Sequence, residues 1–169
     1  MTSSADIRLR ALEPEDLELI YRIENDPQFW RFGASTVPYS RYALRQYITS
    51  SQNDLFADGQ VRLVIVYDGQ AVGFADLTSF DAIHLRAEIG LAVLPEFQGK
   101  HIGRAAVDAL CDYARRLHLH QLYAIIATTN EPATRLFKLL AFDASALLHD
   151  WLRAEEGYVD AVVWQKCLD

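Results

Sequence analysis

Runs of alternating or continuous hydrophobic residues predict the strands of this chain. Ile7 to Ala11 alternates apolar and basic residues, which is typical of a strand with one exposed face. Gln121 to Thr128 is almost continuously apolar, so we expect a central strand covered on both faces. Asp68-Gly69 separates two further strands and is a strong signal for a tight hairpin turn. The remaining predicted strands are Val61 to Tyr67, Ala71 to Thr78, Arg86 to Val93, Ala144 to Arg153 and Tyr158 to Cys167.

Other segments carry apolar residues at helical spacing. Pro14 suits the first turn of a helix that continues to about Asn25, where Asp26-Pro27 stops it. Ser40 can cap a second helix that runs to about Ser51. The segment between these two helices, Trp30 to Tyr39, is predicted to have no regular secondary structure. Two later helices are predicted from their apolar faces: the first is formed by Ala106, Val107, Leu110, Cys111, Ala114 and Leu117, and the second, capped by Asn130, by Ala133, Leu136, Phe137 and Leu140.

The order of these elements, β-α-α-β-β-β-α-β-α-β-β, mixes hairpins with crossover helices. It therefore predicts the α/β (α+β mixed) class, with a central mixed sheet and helices on both faces. A chain of 169 residues fits one domain, so we expect a single domain over residues 1–169.

Composition narrows the possible functions. About half of the residues, 51%, are hydrophobic, which excludes a disordered chain. The net charge of −7 argues against nucleic-acid binding; it suits a cationic substrate, or simply aids solubility. Met1 to Arg10 lacks the apolar core of a signal peptide, and no apolar run is long enough to span a membrane, so we expect a cytoplasmic protein without a membrane partner. Cys111 and Cys167 lack metal-like spacing and are predicted to be buried, reduced thiols.

The most informative segment is the turn between the strand ending at Val93 and the next helix. Gly99 and Gly103 allow a ligand to approach the backbone, and Lys100 and Arg104 add positive charge beside it. Because a helix N-terminus presents unpaired N–H groups, the segment could cradle a pyrophosphate. It matches neither the Walker loop nor the dinucleotide fingerprint. The alternative is an ordinary strand-to-helix turn with surface charges.

Two separated motifs resemble those of the GNAT superfamily of N-acetyltransferases. Gln98 to Gly103 is similar to the family's Gln/Arg-x-x-Gly-x-Gly/Ala phosphate motif, with His101 at the middle glycine. Asn130 to Phe142 is similar to Asn-x-x-Ala-x-x-Leu-Tyr-x-x-x-Gly-Phe, with Phe137 at the tyrosine and Ala141 at the glycine. The resemblance covers nearly the whole chain and implies the GNAT fold, with a mostly antiparallel sheet of about seven strands.

Within the superfamily, the chain resembles the spermidine N-acetyltransferases and the ribosomal-protein N-terminal acetyltransferases. Spermidine enzymes tend to carry acidic residues between the first two helices, whereas Arg31 to Tyr39 contains none. The segments behind this resemblance are Leu9 to Leu17, Arg86 to Glu88, Pro95 to Lys100 and Gly157 to Asp160.

The resemblance implies direct attack of an amine on acetyl-CoA, without a metal. Glu88 is the first candidate for the base, because family members often place a carboxylate on this strand; a surface glutamate paired with Arg86 or a lysine is the alternative. Asp76 and His84 are weaker candidates for the base. The candidate cofactor-binding residues are Leu91, Ala92, Val93, Gln98, Gly99, Lys100, His101, Ile102, Gly103, Arg104, Asn130 and Phe137; among them, backbone N–H groups near Leu91 to Val93 would stabilise the oxyanion.

Phe137 replaces the tyrosine that protonates the departing thiolate in much of the family. Tyr123, Tyr158 or water could replace that tyrosine, and each tyrosine could equally be a packing residue. The acceptor would be a protein or peptide N-terminus, a polyamine or another small amine. The alternative function is a catalytically weak acyl-CoA-binding or regulatory protein. A homodimer is possible, as in many relatives, and Phe29, Trp30 and Phe32 could line an acceptor pocket or pack in the core or a dimer.

Overall fold

The computed structural model describes residues 7–30 and 37–168, except for the side chain of Trp30. Its sheet has seven strands in the order β1-β2-β3-β4-β5-β7-β6. Only β4 and β5 pair in parallel, and every other neighbouring pair is antiparallel. The strands are β1 (Ile7–Ala11), β2 (Val61–Tyr67), β3 (Gln70–Asp81), β4 (Arg86–Val93), β5 (Gln121–Ala127), β6 (Asp143–Arg153) and β7 (Tyr158–Cys167). The mixed, mostly antiparallel sheet predicted from the sequence is thereby confirmed.

The helices follow the predicted order, with two short additions. They are α1 (Leu17–Glu24), α2 (Pro27–Trp30), α3 (Arg41–Ser50), α4 (Leu55–Asp58), α5 (Ile102–Arg116) and α6 (Glu131–Leu139). Pro14–Asp16 forms a 3-10 turn before α1, so the predicted first helix begins later than expected. The short helices α2 and α4 were not predicted; α4 forms because the Asp54 side chain accepts hydrogen bonds from the N–H groups of Phe56 and Ala57.

Helices cover both faces of the sheet and bury two apolar clusters. On one face, α5 and α6 pack against the sheet, and Leu110 and Phe137 join a core with Ala87 of β4. On the other face, Ile20 of α1 and Leu44 of α3 pack against β2 and β3. Because side chains alternate along a strand, Glu88 lies on the α1 and α3 face, opposite to its neighbour Ala87.

Two local predictions have different outcomes. Asp68 and Gly69 have φ values of 49° and 76°, so the tight hairpin turn with two positive φ angles is confirmed. The prediction of two buried thiols is wrong for one of them. Cys111 is buried in α5, whereas Cys167 is exposed at the end of β7, where the strand meets solvent. Within residues 7–30 and 37–168, no helix is long and apolar enough to cross a membrane.

Candidate active site

The central parallel strands part soon after they begin. Among the residues that the structure describes, β4 pairs with β5 only through Arg86 with Gln121, Ala87 with Leu122 and Glu88 with Tyr123. Beyond this point both strands continue without pairing, and a gap opens between them. The gap lies beside β4 residues 89–93, which stay paired with β3 along their other edge.

The β3–β4 ladder decides which backbone groups face this gap. The N–H of Leu94 donates to the carbonyl of Val72, at 2.9 Å, so these two residues form a hydrogen-bonded pair. Because such pairs alternate in an antiparallel ladder, Ala92 is bonded to β3, and the N–H groups of Leu91 and Val93 point into the gap. The structure therefore turns the backbone groups of Leu91 and Val93 towards the space where the resemblance implies a cofactor, but not those of Ala92.

Glu88 lies at the point where the gap opens. Its side chain is half-buried, and burial raises the pKa of the carboxyl above its usual range. The alternative considered for Glu88 was a surface ion pair with Arg86. The structure instead pairs Arg86 with Asp81, at 3.0 Å. Glu88 is thus a partly desolvated carboxyl beside the opening, as a general base would be.

Tyr123 lies directly opposite Glu88, on the neighbouring strand. Burial, followed by the negative charge of Glu88, raises the pKa of its hydroxyl. The Ser79 hydroxyl, on β3, counteracts both increases in pKa. Three polar side chains from adjacent strands therefore meet at the start of the gap.

A partly buried ion cluster lies two residues further along the same face. Arg62 donates to Glu24 of α1 at 2.6 Å and to Asp76 of β3 at 2.7 Å. Burial raises the pKa of Asp76, and the Arg62 guanidinium opposes this increase. Asp76, a weaker candidate for the base, is therefore already held by Arg62.

Gly90 leaves space between Asp76 and the gap. Asp76 lies opposite Gly90, and a Cβ atom at position 90 would lie 3.3 Å from the Cβ of Asp76. The other weaker candidate for the base, His84, lies in the exposed turn between β3 and β4. The structure thus brings Glu88, Asp76 and Tyr123 to one face, and it leaves His84 at the end of the hairpin.

The glycine turn leads directly into α5. Gly99 and His101 have φ values of 77° and 60°, so His101 adopts the left-handed conformation that the family's glycine would adopt easily. The N–H of Ala105 makes the first helical hydrogen bond, to the carbonyl of His101 at 3.3 Å. The N–H groups of residues 102–104 therefore lie outside the helical ladder, as an anion-binding helix N-terminus requires.

The other residues of the two motifs support this turn. The Gln98 side chain donates to the carbonyl of Val93 at 3.0 Å, which ties the turn to the end of β4. A Cβ atom at Gly103 would lie 3.3 Å from the Leu91 side chain, so a glycine lets α5 pack closely on β4. Asn130 accepts a hydrogen bond from the N–H of Ala133 and caps α6.

The structure separates the two tyrosines that the sequence left as alternatives. Tyr158 is 62% exposed and lies at the first residue of β7, seven positions before Gln165. Gln165 pairs with Tyr123, which pairs with Glu88, so Tyr158 lies roughly 23 Å along the strand from the level of Glu88. Phe137 is buried, with its ring 4.8 Å from that of Phe142. Tyr123 is therefore the tyrosine that the fold brings to the base.

Two further predictions concern the acceptor side and metal binding. Phe29 packs partly buried against the α1 and α3 core, while the side chain of Trp30 and all of Phe32 lie outside the described residues. Within the described part of the chain, no group of three His, Cys, Asp or Glu side chains is placed to hold a metal ion.

Sequence reasoning missed Ser79 and Arg62. Ser79 lies at a β-bulge, and the β2–β3 register also shifts between Ile65 and Val66. Only this second shift places Arg62 opposite Asp76; a regular two-residue hairpin would pair Arg62 with Ala75. Neither bulge leaves a sequence signal that could have revealed these contacts.

Comparison with known proteins agrees with this arrangement. Residues 6–143 match the family model described as an acetyltransferase (GNAT) domain. Spermidine N(1)-acetyltransferase of Escherichia coli (strain K12) is 28% identical over 153 residues, which cover 89% of this chain and 81% of that protein. YdaF of Bacillus subtilis (strain 168), named as a candidate ribosomal N-acetyltransferase, is 29% identical over 164 residues, covering 94% of this chain and 89% of that protein.

A solved structure shares the fold closely. Spermidine N-acetyltransferase from Vibrio cholerae, in complex with CoA and spermine, superposes with a TM-score of 0.87 over 96% of this chain and 95% of that chain, at 24% identity. The resemblance to the spermidine and ribosomal branches is therefore confirmed by relatives of both kinds. Because the family match spans most of the chain and the fold agrees with it, the chain belongs to the GNAT family and is an acetyl-CoA-dependent N-acetyltransferase.

Proposed function

We propose that the protein transfers the acetyl group of acetyl-CoA directly to a primary amine of a small cationic molecule, such as a polyamine. The observation that carries this proposal is the position of Glu88, a partly buried carboxyl at the point where β4 and β5 part. Asp76 and Glu24 add negative charge on the same face, and Arg62 is the cation that binds both. A face with this charge favours a positively charged acceptor over a neutral one.

The reaction needs a base because amines are mostly protonated at neutral pH. A lysine-like amine has a pKa near ~10.4, so about one molecule in a thousand is neutral. Glu88 accepts the proton, directly or through a water molecule, and the neutral amine attacks the thioester carbonyl. The resulting oxyanion accepts hydrogen bonds from the N–H groups of Leu91 and Val93, and collapse of the intermediate expels the CoA thiolate.

Tyr123 is the proposed donor to that thiolate. It lies opposite Glu88, and its raised pKa keeps the hydroxyl protonated at neutral pH. A general acid typically accelerates such a step 10²–10⁴-fold. Because Phe137 has no proton to donate, Tyr123 takes the role that the family gives to a tyrosine on α6. Tyr158 remains a weaker prediction because of its distance along β7.

The glycine turn is the proposed site for the CoA diphosphate. The N–H groups of Ile102, Gly103 and Arg104 precede the helical ladder, and Gly99 leaves the backbone open on one side. Lys100 and Arg104 are exposed beside it and can bind phosphate oxygens. The pantetheine arm would then lie in the gap along β4, next to Leu91 and Val93. Asn130 and Phe137 stay predicted cofactor-binding residues.

Thiol release from acetyl-CoA across a panel of acceptors tests the proposal. The panel pairs spermidine with a monoamine of similar length, and a peptide that has a free N-terminus with its N-terminally blocked form. We expect kcat/KM for spermidine to exceed that for the monoamine about tenfold, and to fall as salt screens the carboxylates.

Two outcomes would contradict it. A preference for the free peptide N-terminus over spermidine would identify a peptide acetyltransferase instead. Thiol release no faster than hydrolysis with every acceptor, together with CoA binding seen by calorimetry, would favour the acyl-CoA-binding alternative.

A further inference from the structure

Gly73 lies where the side chains of β3 stop alternating between the two faces of the sheet. Val72 packs in the core under α5 and α6, whereas Phe74, two residues further on, packs against α1 and α3. In a regular strand, residues two apart share a face. The register gives the cause: consecutive residues of β2 pair with Gly73 and with Ala71, so Val72 is an extra residue of β3. Gly73 therefore directly follows a β-bulge.

The bulge turns the side-chain direction of Gly73 towards the neighbouring strand β4. A Cβ atom at position 73 would overlap the carbonyl oxygen of Ala92 and would lie 3.0 Å from the Cα of Val93. Both obstacles are backbone atoms, so no change of side-chain rotamer could relieve the contact. Glycine thus allows the backbones of β3 and β4 to approach closely at this point.

The part of β4 that Gly73 touches has no strand behind it. Gly73 pairs with Val93, and among the described residues β4 is joined to β5 only from Arg86 to Glu88. A larger residue at position 73 would therefore push residues 92–93 away from β3 and into the gap. The N–H groups of Leu91 and Val93, which point into that gap, would move with them.

We propose that Gly73 is a positioning residue for the acetyl transfer. By letting β4 lie close to β3, it sets the width of the gap and the position of the N–H groups of Leu91 and Val93. This inference rests on the proposed function, in which the pantetheine arm and the oxyanion bind along this edge of β4. Gly73 acts through the backbone of β4, from the side of that strand that faces away from the gap. The glycine turn lies beyond the end of β4, so binding of the CoA diphosphate should not depend on Gly73.

The test is the Gly73→Ala variant, which adds one methyl group. We expect the KM for acetyl-CoA to rise, because the arm binds β4 less well, and kcat to fall, because the oxyanion loses well-placed donors. A displacement of about 1 Å at a reacting centre costs roughly 10²-fold, so kcat/KM should fall by about that factor. The Kd of 3′-phospho-ADP, the part of CoA that lacks the pantetheine arm, should stay within about twofold, because its site is distant from Gly73.

Gly157→Ala is the matched control, because it adds the same methyl group far from β4. Gly157 is exposed in the turn before β7 with a φ of 78°. Apart from its chain neighbours, nothing in the described part of the chain lies within 4 Å of the added carbon. Alanine is strained at this φ, so Tm should fall in both variants, whereas KM and kcat should change only in Gly73→Ala. Equal losses of activity in the two variants would overturn the proposal.

A second measurement decides the question if Gly73→Ala does not fold. Amide hydrogen exchange of the unaltered protein, followed residue by residue by NMR, reports which edge of β4 the cofactor covers. We expect CoA to protect the N–H groups of Leu91 and Val93, and the N–H of Ala92 to be protected with and without CoA. Exchange at Leu91 and Val93 that CoA leaves unchanged would overturn the proposal.

The failure of this inference can be told apart from that of the proposed function. If the unaltered protein acetylates amines, yet Gly73→Ala keeps the same KM and kcat, the role of Gly73 is overturned and the proposed function stands. If the unaltered protein releases no thiol with any amine, both proposals are overturned.

Discussion

Burial raises the pKa of Glu88, which lies half inside the sheet. Among the residues that the structure describes, no opposite charge pairs with it. The nearest arginine on its strand, Arg86, is bound to Asp81, and Arg62 is bound to Asp76 and Glu24. A base without an ion-pair partner can accept a proton from a substrate without first losing a salt bridge. Asp76 would have to break its contact with Arg62 to act in the same way.

Replacing Glu88 by glutamine tests this assignment at the residue scale. We expect Glu88→Gln to lower kcat about 10²–10⁴-fold and to remove the acid limb of the pH profile. The alkaline limb should move to lower pH, because the negative charge of Glu88 no longer raises the pKa of Tyr123. The measurement is the pH dependence of kcat. Glu156→Gln is the control, because Glu156 is exposed in the turn before β7. An unchanged profile would remove Glu88 from the mechanism.

At the scale of elements, two helix boundaries use residues where the family has glycine. His101 precedes α5 with a φ of 60°, and Ala141 follows α6 with a φ of 58°. The N–H of Phe142 donates to the carbonyl of Phe137 at 3.0 Å, which closes the C-terminus of α6. Both boundaries therefore keep the backbone conformation of the motif although the glycine is missing.

Ala141→Gly should stabilise the protein, because alanine is strained in the left-handed conformation. We expect the free energy of unfolding to rise by about 0.5–1 kcal/mol, and Tm by roughly 1–4 °C in a chain of this size. Calorimetry measures the change. Ala109→Gly is the matched control, since Ala109 lies inside α5 and glycine there should lower Tm. If both variants lowered Tm equally, the strain at Ala141 would be absent.

The elements could be predicted because their signals are local, whereas the site depends on register. The hairpin at Asp68-Gly69 and the turn before α5 follow from neighbouring residues alone. The choice between Tyr123 and Tyr158 depends on pairing between strands more than thirty residues apart, which periodicity does not encode. The pairing of Arg62 with Asp76 depends on a bulge, which shifts every later pair by one residue.

At the scale of the whole molecule, the β6–β7 hairpin exposes apolar surface. Leu147 and Trp151 of β6 are 50% and 55% exposed, and β6 is an edge strand. Large apolar side chains that are exposed together often mark contacts between proteins. A homodimer, which the sequence leaves possible, would use this surface.

Sedimentation equilibrium tests the dimer. We expect a mass of about twice 19.2 kDa for the unaltered protein, and the single-chain mass for Trp151→Arg, because a buried arginine at the contact would lack a partner. Ile83→Arg serves as the control, since Ile83 is 87% exposed at the tip of another turn. A single-chain mass for the unaltered protein at every concentration would rule the dimer out.

The short pairing of β4 with β5 has a mechanical consequence. Among the described residues, only three residue pairs join β4 of the β1–β4 half to β5 of the β5–β7–β6 half. This is the shortest strand pairing in the sheet. A cosubstrate lying in the gap between β4 and β5 would contact both halves of the sheet and stabilise their association. By mass action, acetyl-CoA at a hundred times its Kd would add about 2.7 kcal/mol to the free energy of unfolding. The lifetime of this enzyme in a cell would therefore follow the supply of its own acetyl donor.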